Sequence, residues 1–339
     1  MDFDLSATQQ AVADVVTSVL DRELSWEALV SGGVTALPVP ERLGGDGVGL
    51  PEVATVLTEV GRHGAITPAL ATLGFGVVPL LDLASDEQQD RFLASVAKGG
   101  VLTAALNEPG IALPDRPSTT FSGGRLSGTK VGVEYAGQAD WLIVTADNAV
   151  LVVSPKADGV RLSKTPTSND SDEYTVTFAD VAVADSDVLA GAAASRVNQL
   201  ALAMAGSFTD GLVAGALRLT ADYVAERKQF GKPLSTFQTV AAQLAEVYIA
   251  SRTINLVAKS VVWRLSEGLD ADSDLDVLGY WVTSQAPPVM QLCHHLHGGM
   301  GMDITYPMHR YYSTIKDLSR LLGGPSHRLD LVGAQCSST

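Results

Sequence analysis

A block of short β-type segments in the middle of the chain most constrains how it can fold. Between about residues 102 and 188, stretches such as VLTAAL, ADWLIVTA and EYTVTF are separated by Gly, Pro, Asp and Asn, which is the pattern of short strands and turns. On both sides of this block, apolar residues recur at helical spacing. The sequence therefore predicts a helical domain, a small all-β domain and a second helical domain, in that order.

The two helical regions carry start signals. The first is predicted to be helical from residue 5 to about residue 103, with Pro51 at a first helical position and a capping-box pattern at Ser85 to Gln88. The glycines of VPERLGGDGVGL, residues 39–50, indicate a tight loop between helices. In the second region, helices are predicted over residues 199–226, 251–267, 274–297 and 307–321, with another that begins at a second capping-box pattern, Ser235 to Gln238.

The charge balance excludes two classes of partner. The chain has 38 acidic and 23 basic residues and a formal net charge of −15, whereas nucleic acid and anionic lipid surfaces are bound through clustered Lys and Arg. No apolar run approaches the roughly 20 residues of a membrane span, and the acidic, polar N-terminus is unlike a secretory signal. We therefore expect a soluble, cytoplasmic protein that binds neither nucleic acid nor membrane, although local basic residues can still hold an anionic ligand.

Two C-terminal segments narrow the function most. The first runs from Arg227 to Gln238 and places a guanidinium, the aromatic ring of Phe230 and an amide donor around a turn, groups that suit a ligand with phosphates and a ring. The second, His297-Gly-Gly-Met-Gly301, offers backbone without side chains at a helix terminus, where a phosphate can approach closely. Because this glycine segment follows a helix rather than a strand, it is not a Rossmann phosphate loop.

Each of these residues also has a purely structural interpretation. Arg227 can cap a helix, Phe230 can be a core residue, and the glycines can simply end a helix; their occurrence together and in this order favours ligand binding. A neighbouring group of Cys and His suggests a metal, but helical geometry spreads its members over different faces and no carboxylate lies at ligand spacing. We therefore predict no metal site at Cys293, His294, His295 and His297.

The ordered series of motifs resembles the acyl-CoA dehydrogenase family over nearly the whole chain. The resemblance implies that family's fold, with an N-terminal α-helical domain (1–102), a middle β-barrel domain (103–188) and a C-terminal four-helix bundle (189–339). MDFDLSATQQ resembles the family's opening helix, VPERLGG its VPEEYGG loop, Asn107 to Gly110 its TEPGAGSD strand-loop, Lys130 to Trp141 its GxKxWITNG..ADW hairpin, and FADVAVADSDVLAG its barrel exit.

The resemblance also implies a cofactor and the residues that contact it. In the family, the Arg, Phe and Gln of the first segment and the Gly-Gly-x-Gly of the second contact the ADP portion of an FAD seated in a neighbouring subunit. His295 occupies the place of the family's usual Gln near the flavin nucleotide, a role that a neutral imidazole partly fills. The FAD-contact residues implied here are Arg227, Phe230, Gln238, His295, Gly298, Gly299 and Gly301.

The chain departs from the family where the reaction needs a base. Acyl-CoA dehydrogenation requires a carboxylate that reaches the α-carbon and removes its proton. The commonest family position falls in Ser319-Arg-Leu-Leu-Gly-Gly-Pro, and the alternative position falls in Asn198-Gln-Leu-Ala; neither contains an acid. The nearest acid, Asp210, comes about three helical turns too late. We therefore assign no catalytic residue to this chain.

The pocket for the flavin ring departs as well. The family's Trp-Ile-Thr aligns with Gly132-Val133-Glu134, which removes an aromatic wall and places a carboxylate where a reduced, anionic flavin would lie. The Gly-Ser-Asp that contacts flavin and CoA is replaced within Ile111 to Asp115, and the Arg-Asp after the Tyr-Tyr pair by Ser313-Thr314. By this resemblance, the chain retains the half of the family's site that contacts a neighbour's ADP. It lacks the half that holds the flavin ring, the CoA and the catalytic base.

These departures predict a subunit that is active only with a partner. In this respect the chain resembles the shorter subunit of the actinobacterial α2β2 acyl-CoA dehydrogenases of steroid catabolism. That resemblance implies a second, longer acyl-CoA dehydrogenase subunit, a steroid-CoA substrate with a shortened cholesterol side chain, and an electron-transferring flavoprotein as acceptor. Two alternatives stay open: a homo-oligomeric flavoenzyme that uses Asp210 or Glu134 as its base, and a flavin-free scaffold.

Overall fold

The N-terminal part of the chain is helical, as predicted. The computed structural model describes residues 3–337, with side chains to residue 334, so Met1 and Asp2 of the opening MDFDLSATQQ segment lie outside the described residues. The capping box at Ser85 is confirmed, and Ser6 forms another at the first helix. The helices are α1 (Ala7–Leu20), α2 (Trp26–Ser31), α3 (Leu50–Arg62), α4 (Val78–Leu83) and α5 (Asp86–Phe92).

A π-helical segment, Leu70–Val77, runs directly into α4 and is buried throughout. Its two glycines allow close packing: a Cβ on Gly74 would lie 2.9 Å from Met204 Cβ, and one on Gly76 would lie 2.4 Å from Leu102 Cβ. The sequence predicted helix here without indicating the wider turn, which commonly accompanies functional sites in helices. This segment forms one wall of the interior described below.

The central part contains two four-stranded sheets that share one hydrophobic core. One sheet has the order β1-β4-β5-β8, with β1 and β4 parallel, and the other has the antiparallel order β2-β3-β7-β6. Leu142 and Leu151 of the first sheet and Leu126 and Phe178 of the second belong to that core, which is how the predicted barrel is built. The strands are β1 (Val101–Ala105), β2 (Thr120–Ser122), β3 (Arg125–Glu134), β4 (Ala139–Thr145), β5 (Val150–Val153), β6 (Val160–Thr165), β7 (Glu173–Ala182) and β8 (Val188–Leu189).

The C-terminal part is a helical bundle in which α6, α7, α8 and α9 contact one another in every pairing. Helix α10 packs on α6 and α9, and α11 packs on α8. This arrangement confirms the predicted order of helical, β and helical parts. The elements are α6 (Ala194–Glu226), a hairpin of β9 (Lys228–Gln229) and β10 (Lys232–Pro233), α7 (Gln238–Ser266), α8 (Asp272–Ser284), α9 (Ala286–His297), α10 (Met308–Leu321) and α11 (Gly324–Ser337).

Three details of the predicted bundle were wrong. The helix predicted to begin at Ser235 and the separate helix predicted over residues 251–267 are one continuous helix, α7. The capping box at Ser235 does not form, because Leu234–Thr236 is a 3-10 turn and the cap of α7 is Phe237, whose side chain accepts no hydrogen bond. The single helix predicted over residues 274–297 is two helices, α8 and α9, which meet at Gln285. Prolines in the first turn of α9 supply no N–H to an earlier carbonyl, so the ladder of hydrogen bonds is interrupted there.

Helix α6 is the central element of the bundle. In the described part of the chain it is the one helix long and apolar enough to cross a membrane by those two measures, yet 89% of its apolar window is buried in the protein. It is therefore a core helix. Glycines bring it against α3 at backbone distance: an added Cβ would lie 1.9 Å from Thr58 O at Gly211, and 2.1 Å from Arg62 O at Gly215.

Replacing Gly211 with alanine should destabilise the fold by about 2 kcal/mol or more, because the new methyl group meets backbone of α3 that cannot move aside. Denaturant unfolding of the two proteins measures the difference. The matched control is Gly333→Ala in α11, where an added Cβ meets nothing within 4 Å; alanine there should be neutral or slightly stabilising. Equal stability of Gly211→Ala and the unsubstituted chain would contradict the close crossing.

Candidate functional site

A tight hairpin after α6 presents an aromatic side chain to solvent. Its strands β9 and β10 pair antiparallel, and the two residues between them, Phe230 and Gly231, have φ of +52° and +80°. Positive φ at both central positions is what a type I′ hairpin turn requires. Phe230 is 92% exposed and contacts Phe237 edge-on, so the interpretation of Phe230 as a core residue is wrong.

Arg227 lies at the junction of α6 and this hairpin. Its backbone N–H donates to Tyr223 O and its carbonyl accepts from Leu234 N, so the backbone ends the helix. The guanidinium is exposed and has no ion-pair or hydrogen-bond partner within residues 3–337. The cap is therefore made by the backbone, and the charged side chain is available to a ligand. Gln238, the first residue of α7, is also exposed.

The glycine segment turns away from the end of α9 in a conformation reserved for glycine. Gly298 has φ +56° and ψ −136°, a region in which a Cβ would clash with the residue's own backbone. A Cβ on Gly298 or Gly299 would meet nothing within 4 Å, so the outer face of the turn is bare, open backbone. Gly301 is buried, and its Cβ would lie 3.1 Å from His294 O.

The structure brings the two segments together. The ring of His297, which precedes the glycine turn, stacks on Tyr223 with centroids 4.6 Å apart, and Tyr223 lies one turn before Arg227. Tyr306, which follows the turn, contacts His297 at 5.1 Å. His295 is exposed on the last turn of α9. We call the exposed residues of these segments the arginine–glycine surface; they are Arg227, Phe230, Gln238, His295, Gly298 and Gly299.

The chemistry of this surface fits the ADP end of a dinucleotide. Arg227, Lys228 and Lys232 make it locally basic in a chain of net charge −15, and the open glycine backbone lets a phosphate approach closely. The exposed Phe230 ring offers an apolar face to a flat group. Within the described residues no group of three His, Cys, Asp or Glu is arranged to hold a metal.

A separate cavity lies where the resemblance places the reacting groups. The two positions assigned to a catalytic base come together here, because Leu322 after α10 and Ala201 in α6 line the same space. That space is about 20 Å³, room for one water molecule. Asn198 points its amide away, donating to Leu113 O and Pro114 O. The other lining residues are Phe75, Ala104, Leu106, Asn107, Leu113, Gly132 and Leu321.

A network of charged side chains fills the neighbouring space around Glu134. Asp317 of α10 accepts from the backbone N–H groups of Ser168 and Asn169 at 2.8 and 2.9 Å, and Arg320 forms an ion pair with the buried Glu173 of β7. Burial, with Glu173 and Asp317 nearby, raises the pKa of Glu134 to about 7, against the opposing effect of Arg320. We call Glu134, Glu173, Asp317 and Arg320 the carboxylate cluster.

The second acid considered as a base lies elsewhere. Asp210 of α6 is buried, accepts from Asn255 Nδ2 at 2.9 Å, and has its pKa raised chiefly by burial. It lines a cavity of about 390 Å³ between α3, α6, α7 and the segment 3–6, and that cavity shares no residue with the one beside Glu134. Sequence reasoning missed Glu173, Asp317 and Arg320, because nothing in their local spacing indicates contacts between β7 and α10.

Comparisons with known proteins agree with this architecture. Profiles of the acyl-CoA dehydrogenase N-terminal and C-terminal domains match residues 7–100 and 191–334. The chain is 82% identical to acyl-CoA dehydrogenase FadE28 of Mycobacterium tuberculosis, with 100% of both chains covered. It superposes on a variant of the steroid ACAD Tcur3481–Tcur3483 with a TM-score of 0.90 and 29% identity, covering 98% of this chain and 99% of that one. Superposition on the ChsE4–ChsE5 complex of Mycobacterium tuberculosis gives a TM-score of 0.89 at 27% sequence identity, with 100% of both chains covered.

Glu134→Gln should change how stability depends on pH. The folded-state pKa of about 7 lies above the usual value of 4.5, so the folded chain keeps this proton up to a higher pH than the unfolded chain does. The contribution of Glu134 to stability therefore falls as pH rises from about 4.5 to 7 and is constant above. The melting temperature of the unsubstituted chain should therefore fall relative to that of the glutamine variant as the pH rises from about 4.5 to 7.

The control for this measurement is Glu226→Gln at the exposed end of α6. Removing this exposed carboxylate should change the melting temperature only slightly. A melting-temperature difference for Glu134→Gln that is the same at every pH would show that its carboxyl titrates as it would in water.

Proposed function

The chain belongs to the acyl-CoA dehydrogenase family of FAD-dependent oxidoreductases acting on CH–CH groups, and we propose that it is the non-catalytic subunit of a heteromeric member. In this proposal it binds the ADP end of an FAD whose flavin ring lies in a different, longer acyl-CoA dehydrogenase subunit of an α2β2 assembly. The observation that carries the proposal is the contrast between an open arginine–glycine surface and a filled interior.

The filled interior argues against a complete active site in this chain. A base must come within hydrogen-bonding reach of the α-proton, and the two family positions for it are Leu322 and Ala201 on a cavity of about 20 Å³. Glu134 stands among charged groups that hold α10 against the central sheets. Opening that space to a flavin ring would bury or separate those charges, which is costly.

The open surface supports a role at the other end of the cofactor. Bound FAD supplies a hydride acceptor for the β-carbon, and this chain's residues would bind and orient its ADP portion. Arg227 would bind a phosphate or ribose oxygen, because its guanidinium has no other partner in the described residues. Gly298 and Gly299 would admit the pyrophosphate to bare backbone, with Phe230, Gln238, His295 and Gly301 completing the contacts.

A partner subunit accounts for apolar side chains that an isolated protein would not leave exposed. Met302 is 77% exposed and Ile304 75% exposed in the segment after the glycine turn, and Phe230 is 92% exposed in the hairpin. Met302 and Ile304 stand two residues apart in one segment, and exposed apolar groups that lie together mark contact surfaces. Two structures to which the chain is similar pair two differently named chains, Tcur3481–Tcur3483 and ChsE4–ChsE5.

The proposed substrate is a steroid-CoA thioester with a shortened cholesterol side chain. Its support is the resemblance stated above and the description of Tcur3481–Tcur3483 as a steroid ACAD. Desaturation of this acyl chain is a β-oxidation step of cholesterol catabolism. The proposed electron acceptor is an electron-transferring flavoprotein, and the proposed location is the cytoplasm.

We expect the isolated chain to bind FAD weakly and to show no acyl-CoA dehydrogenase activity, because ring pocket and base are missing. When a tagged copy of the chain is purified from its native cells, a longer acyl-CoA dehydrogenase subunit, bound FAD and activity should co-purify with it. Flavin absorbance per protein and turnover with an artificial electron acceptor measure both properties. Stoichiometric flavin and turnover in the isolated chain would favour the homo-oligomeric alternative, and a colourless complex would favour the flavin-free scaffold.

Variants of the two acids separate the remaining alternatives. Asp210→Asn and Glu134→Gln in the complex, compared at equal FAD content, should leave turnover near normal. Loss of a true base reduces turnover by about a thousandfold or more. A loss of that size from either variant would make this chain the acid–base subunit.

Arg227→Ala should weaken FAD binding to the complex about tenfold or more, since a charge-assisted contact contributes about 1.5–3 kcal/mol. The melting temperature should not change, because the backbone makes the helix cap. Arg218→Ala is the matched control: it removes an exposed arginine of the same helix that pairs with Asp222. Unchanged FAD affinity with a lower melting temperature would make Arg227 structural.

A further inference from the structure

The geometry points to His297 as a positioning residue that holds the two halves of the arginine–glycine surface together for FAD. The inference rests on the proposed function of that surface and concerns a side chain that does not itself reach solvent, because His297 is only 2% exposed. The ring lies between two separate segments of the chain and immediately precedes the glycine turn. It contacts no substrate, so its effect passes through its neighbours.

Three contacts fix the imidazole. Its plane lies 26° from that of Tyr223 at 4.6 Å between centroids, and its other neighbour is Tyr306 at 5.1 Å. Its Nδ1 lies 2.7 Å from the carbonyl oxygen of Cys293, one turn back in α9. Since a carbonyl only accepts, Nδ1 carries the proton and donates it.

Each contact ties a different part of the surface to the ring. The carbonyl of Tyr223 accepts the N–H of Arg227 at 2.9 Å, so the residue stacked on His297 also holds the backbone of the arginine. On the other side, Gly298 follows His297 directly and depends on it to start the turn. Tyr306 fixes the return of the chain toward α10. Moving the ring would shift Arg227 relative to the open backbone of Gly298, and binding groups lose affinity when they must be ordered on binding.

Burial favours the neutral form of the ring. With the proton on Nδ1, the buried Nε2 has a lone pair and no partner, since the nearby Leu219 carbonyl can only accept. The titratable groups that face the ring are Tyr223 of α6, Tyr306 of the following loop and His294 of its own helix. Burial lowers the pKa of His297, and His294 adds to this effect. Protonation would supply Nε2 with a proton and draw it toward Leu219, changing the contacts that hold the turn.

The test uses the complex of this chain with its partner and measures FAD affinity by titration of the apo-complex. His297→Ala should weaken FAD binding about tenfold, because the turn and Arg227 lose their common support. His297→Phe keeps a ring between the two tyrosines and should restore most of the affinity. His63→Ala is the matched control, since His63 makes the same bond from Nδ1 to the carbonyl four residues earlier, Glu59 O, at the end of α3.

Two further readouts separate positioning from general stability. The FAD affinity of the unsubstituted complex should weaken as pH falls below the usual histidine range and the ring becomes protonated, and that of His297→Phe should not. In the isolated chain, amide hydrogen exchange at residues 298–301 should accelerate in His297→Ala and stay slow in His297→Phe. The exchange measurement applies even if the alanine variant fails to assemble.

The outcomes are distinguishable. Unchanged FAD affinity and unchanged exchange in His297→Ala, with Arg227→Ala still weakening FAD, would overturn the positioning role and leave the proposed function in place. An equal loss in His297→Ala and His63→Ala, parallel to their melting temperatures, would also overturn it by showing a general effect. If Arg227→Ala has no effect on FAD, the proposed function itself fails.

Discussion

The close packing of α3 against α6 is the interaction on which the rest of the structure depends. Gly211 and Gly215 let the two backbones meet where any larger side chain would hold them apart, and this contact joins the N-terminal helices to the bundle. With the middle of α6 fixed, its first turns form a wall of the closed interior through Ala201. Its last turn carries Tyr223 and ends at Arg227. One helix thus sets the positions of both the arginine–glycine surface and the closed interior.

The interior around Leu322 and Glu134 is a packed joint between the central sheets and the bundle. Leu321 and Leu322 close the apolar side, while Asp317 and Arg320, on the same helix, bind the loop after β6 and the start of β7. The apolar side chains exclude water from the neighbouring charges, and the ion pairs and hydrogen bonds among those charges are therefore stronger. The same contacts that fill this space therefore strengthen the junction of the central sheets with the bundle.

The sequence could predict what local pattern and ordered motifs encode. The helical, β and helical order and the capping box at Ser85 were both readable from neighbouring residues. The predicted capping box at Ser235 was wrong because a 3-10 turn placed the helix start two residues later than its pattern indicated. The carboxylate cluster was not predictable, since Glu173 and Arg320 are 147 positions apart and neither stands in a distinctive motif. The stacking of His297 on Tyr223 was hidden for the same reason.

The type I′ turn that presents Phe230 has a consequence for how the protein must be made. Phe230 is 92% exposed on a tight hairpin, and a separate loop exposes Met302 and Ile304; side chains of this kind promote association until another surface covers them. In the proposed heteromer, every copy made in excess of its partner would expose these apolar side chains in the cell, where such groups promote aggregation. The proposal therefore implies that the two subunits are produced in balanced amounts or that surplus copies are removed rapidly.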